Sequence, residues 1–218
     1  MEIKKILKIN PMNLFKKKHH YSLEGIYKGH HLVTYKGVLS IKCPFDYTIY
    51  QMILWQVKPD LIIEIGTNKG GTTLYLADLL SLNNKGEIHT IDLPTNEEDI
   101  SLHHHPRIKI FKDGFLNYDT SILYAFNNIL IIEDGSHQYE DTLAALKMFS
   151  TYVSKGSYFL VEDGIVTALG RNKEFNGGPK RAVHEFLKED NSFFIETKWC
   201  NLFGKSATFN TDGYLKKK

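Results

Sequence analysis

Short apolar runs alternate with segments of helical period along most of this 218-residue chain. The runs are LIIEI (61–65), GEIHTID (86–92), RIKIF (107–111), NNILIIED (127–134) and GSYFLVED (156–163). Apolar strands separated by helices are typical of a parallel sheet, because each parallel pair needs a crossover and both faces become covered. The pattern therefore predicts an α/β fold with a doubly wound, Rossmann-like sheet and helices on both faces.

Further helices and two more strands complete the predicted architecture. A helix is predicted between Pro44 and Pro59, because the apolar residues from Tyr50 to Val57 recur at helical spacing. The other predicted elements are helices over 72–80, 143–153 and 182–190 and antiparallel strands near 192–198 and 204–210. We expect about seven strands, mostly parallel, with an antiparallel edge.

Length and composition indicate one main domain with an appendage. The hydrophobic fraction of 42% and charged fraction of 24% suit a single core in a chain of this size. We assign 1–43 to a basic N-terminal extension and candidate lid, and 44–218 to the domain that carries the sheet.

Basic residues concentrate at both ends of the chain. They are Lys4, Lys5, Lys8, Lys16, Lys17 and Lys18 at one end and Lys216, Lys217 and Lys218 at the other. Solvated termini are one interpretation, and weak contact with an acidic surface such as lipid headgroups is the alternative. No nucleic-acid partner is expected, since the sequence has no recognition-helix, RNA-binding or zinc-finger pattern.

Two widely separated cysteines, Cys43 and Cys200, suit a reducing compartment, so we expect a cytoplasmic protein. The most apolar N-terminal run, ILKINPMNLF, is interrupted by polar residues and proline. It resembles neither a signal peptide nor a membrane span. A homo-oligomer is compatible with the sequence, which does not determine the state of association.

Acidic residues follow or end all five predicted parallel strands. They are Glu64, Asp92, Asp113, the pair Glu133 and Asp134, and the pair Glu162 and Asp163. Each alone could be a turn former or helix cap. Together they indicate a site, because ligands of such sheets bind at the carboxyl ends of the strands.

The loop 64-EIGTNKGGTT-73 predicts a cofactor close to the backbone. Its glycine spacing fits neither the dinucleotide fingerprint nor the phosphate-binding loop. An acid at the start of the loop suits a cationic ligand, and S-adenosylmethionine (SAM) carries both an ammonium and a sulfonium. We expect Asp92 to accept its ribose hydroxyls. The other predicted cofactor contacts are Glu64, Gly66, Thr67, Gly70, Gly71 and Asp113.

Six segments carry a resemblance to a known family that covers roughly 44 to 216. They are 44-PFDYTIYQMILWQVKPD-60, 61-LIIEIGTNKGGTTLYLADLL-80, 131-IIEDGSH-137, 158-YFLVEDG-164, 178-GPKRAVHEFL-187 and 213-GYLK-216. They resemble the cephalosporin hydroxylase family, which has the fold of class I SAM-dependent methyltransferases. Its active site is similar to that of magnesium-dependent macrolide sugar O-methyltransferases.

The resemblance implies metal ligands at Asp134, Glu162 and Asp163, with His137 as general base. Relatives often carry a second acid where this chain has Ser136, a departure that favours the sugar-methylating pattern. The chemistry agrees, since three carboxylates favour Mg²⁺, Mn²⁺ or Ca²⁺ over zinc. An imidazole is suited to removing a hydroxyl proton near neutral pH.

The predicted function is a SAM- and Mg²⁺-dependent (or Mn²⁺-dependent) O-methyltransferase. Its acceptor would be a sugar hydroxyl of a polysaccharide, glycolipid or glycosylated natural product. The alternatives are a non-catalytic SAM-binding subunit that supports a partner enzyme, and metal-assisted hydrolysis. Two groups stay outside the predicted site: the polar-loop histidines 103–105, and the N-terminal aromatics, which suit core packing or an acceptor pocket equally.

Overall fold

The computed structural model describes residues 21–218 and confirms the predicted sheet. The helices are α1 (Leu23–His30), α2 (Pro44–Val57), α3 (Gly71–Leu82), α4 (Tyr139–Phe149), α5 (Gly178–Glu189) and α6 (Thr197–Cys200). The strands are β1 (Thr34–Tyr35), β2 (Val38–Leu39), β3 (Leu61–Ile65), β4 (Glu87–Ile91), β5 (Ile108–Phe111), β6 (Ile129–Glu133), β7 (Tyr158–Val161), β8 (Phe193–Ile195) and β9 (Tyr214–Lys217).

Seven strands form one sheet in the order β5-β4-β3-β6-β7-β9-β8. The five from β3 to β7 are parallel, whereas β9 runs antiparallel to both β7 and β8. Strands β1 and β2 form a separate short hairpin. The mostly parallel sheet with an antiparallel edge is therefore as predicted.

Both faces of the central strands are buried, as their continuous apolar sequences require. Alternate residues of a strand point to opposite faces, so Ile63 and Ile131 lie with the helices α4 and α5, and Ile62 and Leu130 with α2 and α3. Every residue of β3, β6 and β7 is buried. This leaves the strand ends as the place where polar side chains meet a ligand.

The strand predicted near 204–210 is wrong, and the last strand is β9. Residues 208–210 are held by side-chain contacts instead of a strand ladder. Thr208 donates its hydroxyl proton to Asp46, and the amide of Asn210 donates to the hydroxyl of Tyr50 at 2.9 Å. Because these polar groups find buried partners on α2, this stretch enters the interior without pairing as a strand.

The basic cluster of the first 20 residues lies outside the described residues, so the interpretations given to it stay predictions. At the other end, the lysines belong to or adjoin β9. For example, Lys217 donates to the carbonyl oxygen of Ser150 at 2.9 Å. Among residues 21–218, no helix combines the length and apolar character needed to span a bilayer.

Candidate active site

One cavity of about 840 Å³ lies at the carboxyl ends of the parallel strands. The predicted site residues that line it are Gly66, Thr67, Gly71, Asp92, Asp113, Asp134, His137 and Asp163. Glu64, Gly70 and Glu162 are not among its lining residues. The structure thus brings most of the predicted site together around a single space.

Gly66 allows the loop after β3 to touch the turn after β6. Its φ is +101°, and a Cβ atom built there would lie 2.0 Å from the carbonyl oxygen of Asp134. No side chain fits at that distance. The glycine therefore brings the predicted cofactor loop against the predicted metal-binding turn.

Asp92 follows β4 with both carboxylate oxygens turned to the backbone of the loops. One oxygen accepts the amide proton of Asn68 at 2.8 Å. The other accepts from the amide of Leu93 at 2.8 Å and from the side chain of Asn96 at 2.6 Å. These donors fix the carboxylate at the cavity wall, and Oδ2, which accepts a single hydrogen bond, retains capacity for a further one.

Glu64 lies beneath the loop. The side chain is buried, and one of its oxygens accepts the hydroxyl protons of Thr73 at 2.6 Å and Thr90 at 2.7 Å. Burial raises the pKa of this carboxyl to about 7. Glu64 therefore ties β3 to α3 and β4, and its predicted contact with a cofactor stays a prediction. Gly70 caps α3 and faces Leu102.

Asp134, His137 and Asp163 form a group that could hold a metal ion. One ligand atom from each lies within 4.8 Å of the others. The Nε2 atom of His137 is 3.2 Å from Oδ2 of Asp163. Both of these residues have a left-handed backbone, with φ of +60° at His137 and +55° at Asp163, a conformation that is uncommon for residues other than glycine.

Two buried polar atoms, one within this group and one next to it, indicate that the site fits a bound ligand. Among the described residues, neither Nδ1 of His137 nor Oε2 of Glu133 has a hydrogen-bond partner. Unpaired buried polar atoms are uncommon in folded proteins. Burial raises the pKa of Glu133 to about 7 and also raises that of Asp134. A cation placed here would offset the cost of burying these carboxyl groups.

Glu162 lies apart from this group because two other side chains hold it. One oxygen accepts from Lys42, and the other accepts the hydroxyl proton of Tyr50 at 2.5 Å. Lys42 also donates to Oδ2 of Asp134 at 2.9 Å. Burial, together with the nearby Asp134, raises the pKa of Glu162 well above its usual range. The prediction that Glu162 binds the metal is therefore not tested by this arrangement.

Several cavity-side residues were not predicted from the sequence. Tyr27, His30 and His31, on or next to α1, and Arg171 line the cavity and come from segments without a recognisable motif. Lys42 does not line the cavity but pairs with Asp134, which does. The guanidinium of Arg171 donates to the hydroxyl of Tyr27 at 2.7 Å. The only sequence signal was the group of N-terminal aromatics, which suited core packing equally. The boundary at 43 and the lid stay predictions, although residues 21–43 contribute to the cavity wall.

Comparison with curated proteins gives relatives that are named rhamnosyl O-methyltransferase. The rhamnosyl O-methyltransferase of Mycobacterium tuberculosis is 26% identical over 192 residues, covering 84% of this chain and 77% of that protein. The protein of the same name from Mycobacterium leprae is 24% identical over 192 residues, covering 85% and 83%.

Solved structures of CmcI share the fold. One with Mg and SAM has a TM-score of 0.65 at 18% identity, covering 100% of this chain and 89% of that chain. An apo-structure of CmcI has a TM-score of 0.67 at 17% identity, covering 100% and 87%.

A family model described as Rhamnosyl O-methyltransferase/CmcI matches residues 28–218. The match takes in the glycine loop, Asp92, the Asp134–His137 turn and the Glu162–Asp163 pair, and it confirms the resemblance inferred from the sequence. The chain belongs to the rhamnosyl O-methyltransferase/CmcI family.

Proposed function

We propose that this protein is a SAM-dependent O-methyltransferase that uses a divalent metal ion and methylates a hydroxyl group of a sugar. The observation that carries the proposal is the single cavity that joins the glycine loop, Asp92 and the group Asp134, His137 and Asp163. Membership of the family supports the reaction class. The rhamnosyl O-methyltransferases among its relatives support a sugar acceptor.

The cofactor would lie between the loop after β3 and Asp92. The backbone of Gly66 and Thr67 lines this side of the cavity, with Asp113 next to it. The carboxylate of Asp92 is already oriented by backbone donors. It would accept one ribose hydroxyl at the free site of Oδ2 and the other at Oδ1 in place of the side chain of Asn96. The cavity is in the upper part of the range of small-molecule sites, about 300–1,000 Å³, and so has room for a cofactor and a sugar.

Asp134, Glu162 and Asp163 would hold the divalent ion, and Glu162 would then exchange its contact with Lys42 for the ion. When bound, the ion would orient the acceptor and lower the pKa of the reacting hydroxyl. Hard carboxylate oxygens suit Mg²⁺ or Mn²⁺.

His137 would act as the general base. If its Nε2 proton is donated to Asp163, the lone pair on Nδ1 is free to accept the proton of the acceptor hydroxyl. The hydroxyl oxygen then attacks the methyl carbon of SAM, and the carbon–sulfur bond breaks. The products are a methyl ether, S-adenosylhomocysteine and the protonated imidazole.

The cellular compartment and the partners are also part of this proposal. Cys43 and Cys200 are free and buried, which supports the reducing environment of the cytoplasm. The acceptor would be a small molecule or a glycan. Association into a homo-oligomer and contact of the basic termini with a membrane surface are further proposals, which sedimentation and vesicle binding can test.

The deciding experiment is calorimetry with S-adenosylhomocysteine, with and without Mg²⁺, followed by a screen of sugar acceptors with labelled SAM. We expect saturable binding of S-adenosylhomocysteine and methyl transfer that depends on the metal. Binding without transfer to any sugar would favour the non-catalytic subunit, and absence of binding would remove the proposal altogether.

A further inference from the structure

The cavity has an aromatic wall beside His137. It consists of Tyr27 and His31, on or next to α1, and of Phe175, from the loop before α5. The rings of Tyr27 and His31 meet edge to face with their centroids 5.2 Å apart, and the ring of Phe175 lies 6.1 Å from that of His137. Since His137 is the proposed base, this wall borders the place where the acceptor hydroxyl would lose its proton.

Arg171 connects the two parts of the aromatic wall. Its guanidinium donates to the hydroxyl of Tyr27 at 2.7 Å, 144 positions away in the chain, and lies 4.9 Å from the ring centroid of Phe175. Arginine carries only donors, so the oxygen of Tyr27 must be the acceptor in this hydrogen bond. The proton of the Tyr27 hydroxyl is therefore left for an acceptor atom other than Arg171.

The charge at the aromatic wall is balanced. Glu174 accepts from Arg171 through both carboxylate oxygens, at 2.8 and 2.5 Å, so the guanidinium already has a counter-charge. His30, which also lines the cavity, is buried, and burial lowers its pKa and favours the neutral imidazole. A carboxylate or phosphate on the acceptor would have to compete with Glu174 for Arg171, whereas an uncharged sugar would not.

We propose that Tyr27 is a specificity-determining residue whose ring stacks on an uncharged sugar ring of the acceptor and whose hydroxyl donates to a sugar oxygen, with Arg171 as a positioning residue. The inference rests on the proposed sugar O-methyltransferase function and adds to it the residues and the charge class of the acceptor. Sugars present C–H groups on their faces and oxygens at their edges. An aromatic ring with a polar end matches both.

The test measures sugar binding to the protein loaded with S-adenosylhomocysteine and Mg²⁺, so that it does not depend on turnover. The probes are the methyl glycosides of glucose, galactose, fucose and rhamnose, and the methyl uronides of glucose and galactose. Saturation-transfer NMR with irradiation of the aromatic protons of the protein reports contact with sugar C–H groups, and titration gives the dissociation constants. We expect at least one neutral glycoside to receive this transfer, and each uronide to bind more weakly than its neutral counterpart.

Two substitutions separate the ring of Tyr27 from its hydroxyl. Tyr27→Leu removes both and should raise the dissociation constant of the best neutral glycoside by about tenfold or more, with loss of the aromatic transfer. Tyr27→Phe keeps the ring and should raise the constant by about two- to tenfold while the transfer persists. Tyr124→Leu is the matched control, because Tyr124 is 79% exposed and does not line the cavity.

Glu174→Gln tests the charge of the wall by a gain of binding. The side chain of Glu174 is half-exposed, and the substitution frees the guanidinium of Arg171 from its counter-charge. The uronides should therefore gain about three- to fivefold in affinity relative to their neutral counterparts. Glu185→Gln is the control, because Glu185 pairs with Arg181 outside the cavity.

The outcomes distinguish this inference from the proposed function. A Tyr27→Leu protein that binds S-adenosylhomocysteine and the neutral glycosides as the wild type does overturns the inference, and so does a wild type that prefers a uronide to its neutral counterpart. If none of the glycosides binds a protein that does bind S-adenosylhomocysteine, the inference fails while the cofactor assignment stands. If S-adenosylhomocysteine does not bind either, the proposed function fails together with the inference.

Discussion

In the proposed reaction, different side chains at the strand ends bind the cofactor and remove the proton. Asp92 is oriented by donors from its own loop and from the loop after β3, so it reaches the cofactor side of the cavity in a defined geometry. His137 follows a different strand, β6, and is paired with Asp163. This separation predicts that cofactor binding and turnover can be impaired independently.

Replacing Asp92 by alanine should weaken the binding of S-adenosylhomocysteine by about 2–4 kcal/mol. The change removes two charge-assisted hydrogen bonds to the ribose, each of which contributes about 1.5–3 kcal/mol and which are not fully additive. Calorimetry measures the effect. Asp119→Ala is the matched control, because Asp119 caps the short 3₁₀ helix Thr120–Ala125 through Ser121 and does not line the cavity. An unchanged dissociation constant for Asp92→Ala would exclude the ribose assignment.

Replacing His137 by alanine should lower turnover by about 10²–10⁴-fold and leave S-adenosylhomocysteine binding almost intact, since a positioned base contributes about that much. Residual activity should rise at high pH as the acceptor hydroxyl ionises unaided. The pH profile of labelled methyl transfer gives the result, with the exposed His104→Ala as control. Wild-type turnover from about pH 6 to 9 would transfer the role of base to Glu133.

Secondary-structure elements bring these side chains together through two short connections. The turn after β3 touches the turn after β6 at Gly66, and the buried carboxyl of Glu64 joins β3 to α3 and β4. Helix α4 begins at Tyr139, two residues beyond His137, so the histidine belongs to the irregular turn and not to the helix. The helix also ends at Phe149, before the predicted end at Val153.

Gly66→Ala should destabilise the fold by more than about 2 kcal/mol and abolish cofactor binding. The new Cβ atom would clash with the carbonyl oxygen of Asp134, in addition to the cost of about 1–2 kcal/mol for a side chain at positive φ. Gly156→Ala is the matched control, because Gly156 has φ of +80° and open space around it. Urea unfolding of both variants measures the difference. Equal losses would mean that the close approach at Gly66 adds nothing.

Glu64→Gln should change the pH dependence of stability. The folded-state pKa of Glu64 is raised from 4.5 to about 7, so the folded protein binds more protons than the unfolded chain between these values. The contribution of Glu64 to stability is therefore present at low pH and is lost as the pH rises through this window.

The glutamine variant keeps an acceptor for Thr73 and Thr90 but cannot ionise. Its stability relative to the wild type should improve by about 2–3 kcal/mol between about pH 5 and pH 8. Urea unfolding of metal-free protein at several pH values measures this. A difference between the two proteins that stays constant with pH would contradict the raised pKa.

At the scale of the whole molecule, the C-terminal segment helps the sheet to position the site. Thr208 and the backbone of Phe209 bind the buried Asp46 on α2, and Asn210 binds Tyr50 on the same helix. Tyr50 in turn holds Glu162. The described C-terminal region thus fixes the helix that carries the second layer of the proposed metal site.

Removing divalent metal should abolish methyl transfer by the full chain, and Mg²⁺ or Mn²⁺ should restore it. Asp134, Glu162 and Asp163 would provide the oxygen ligands, and removal of the ion would leave these carboxylates unbalanced near the reacting hydroxyl. Treatment with a chelator, elemental analysis and labelled methyl transfer together give the answer. Full activity in a preparation shown to be free of metal would argue against a catalytic ion.

The repeated apolar runs were sufficient to predict the parallel sheet and the position of the site. Parallel strands must be connected by crossovers, and their carboxyl ends lie at one edge, so acids at successive strand ends must gather there. For the same reason Asp92, Asp134, His137 and Asp163 line one cavity. These features depend on local patterns repeated along the chain, which a sequence displays directly.

The tertiary structure alone decided how the carboxylates are shared. Lys42 pairs with Asp134 and Glu162, which are 92 and 120 positions away in the chain, and no local pattern marks such partners. The last strand was misplaced for a similar reason, because Thr208 and Asn210 find their partners on α2. A buried polar group must be paired, but which distant group satisfies it is determined only when the chain has folded.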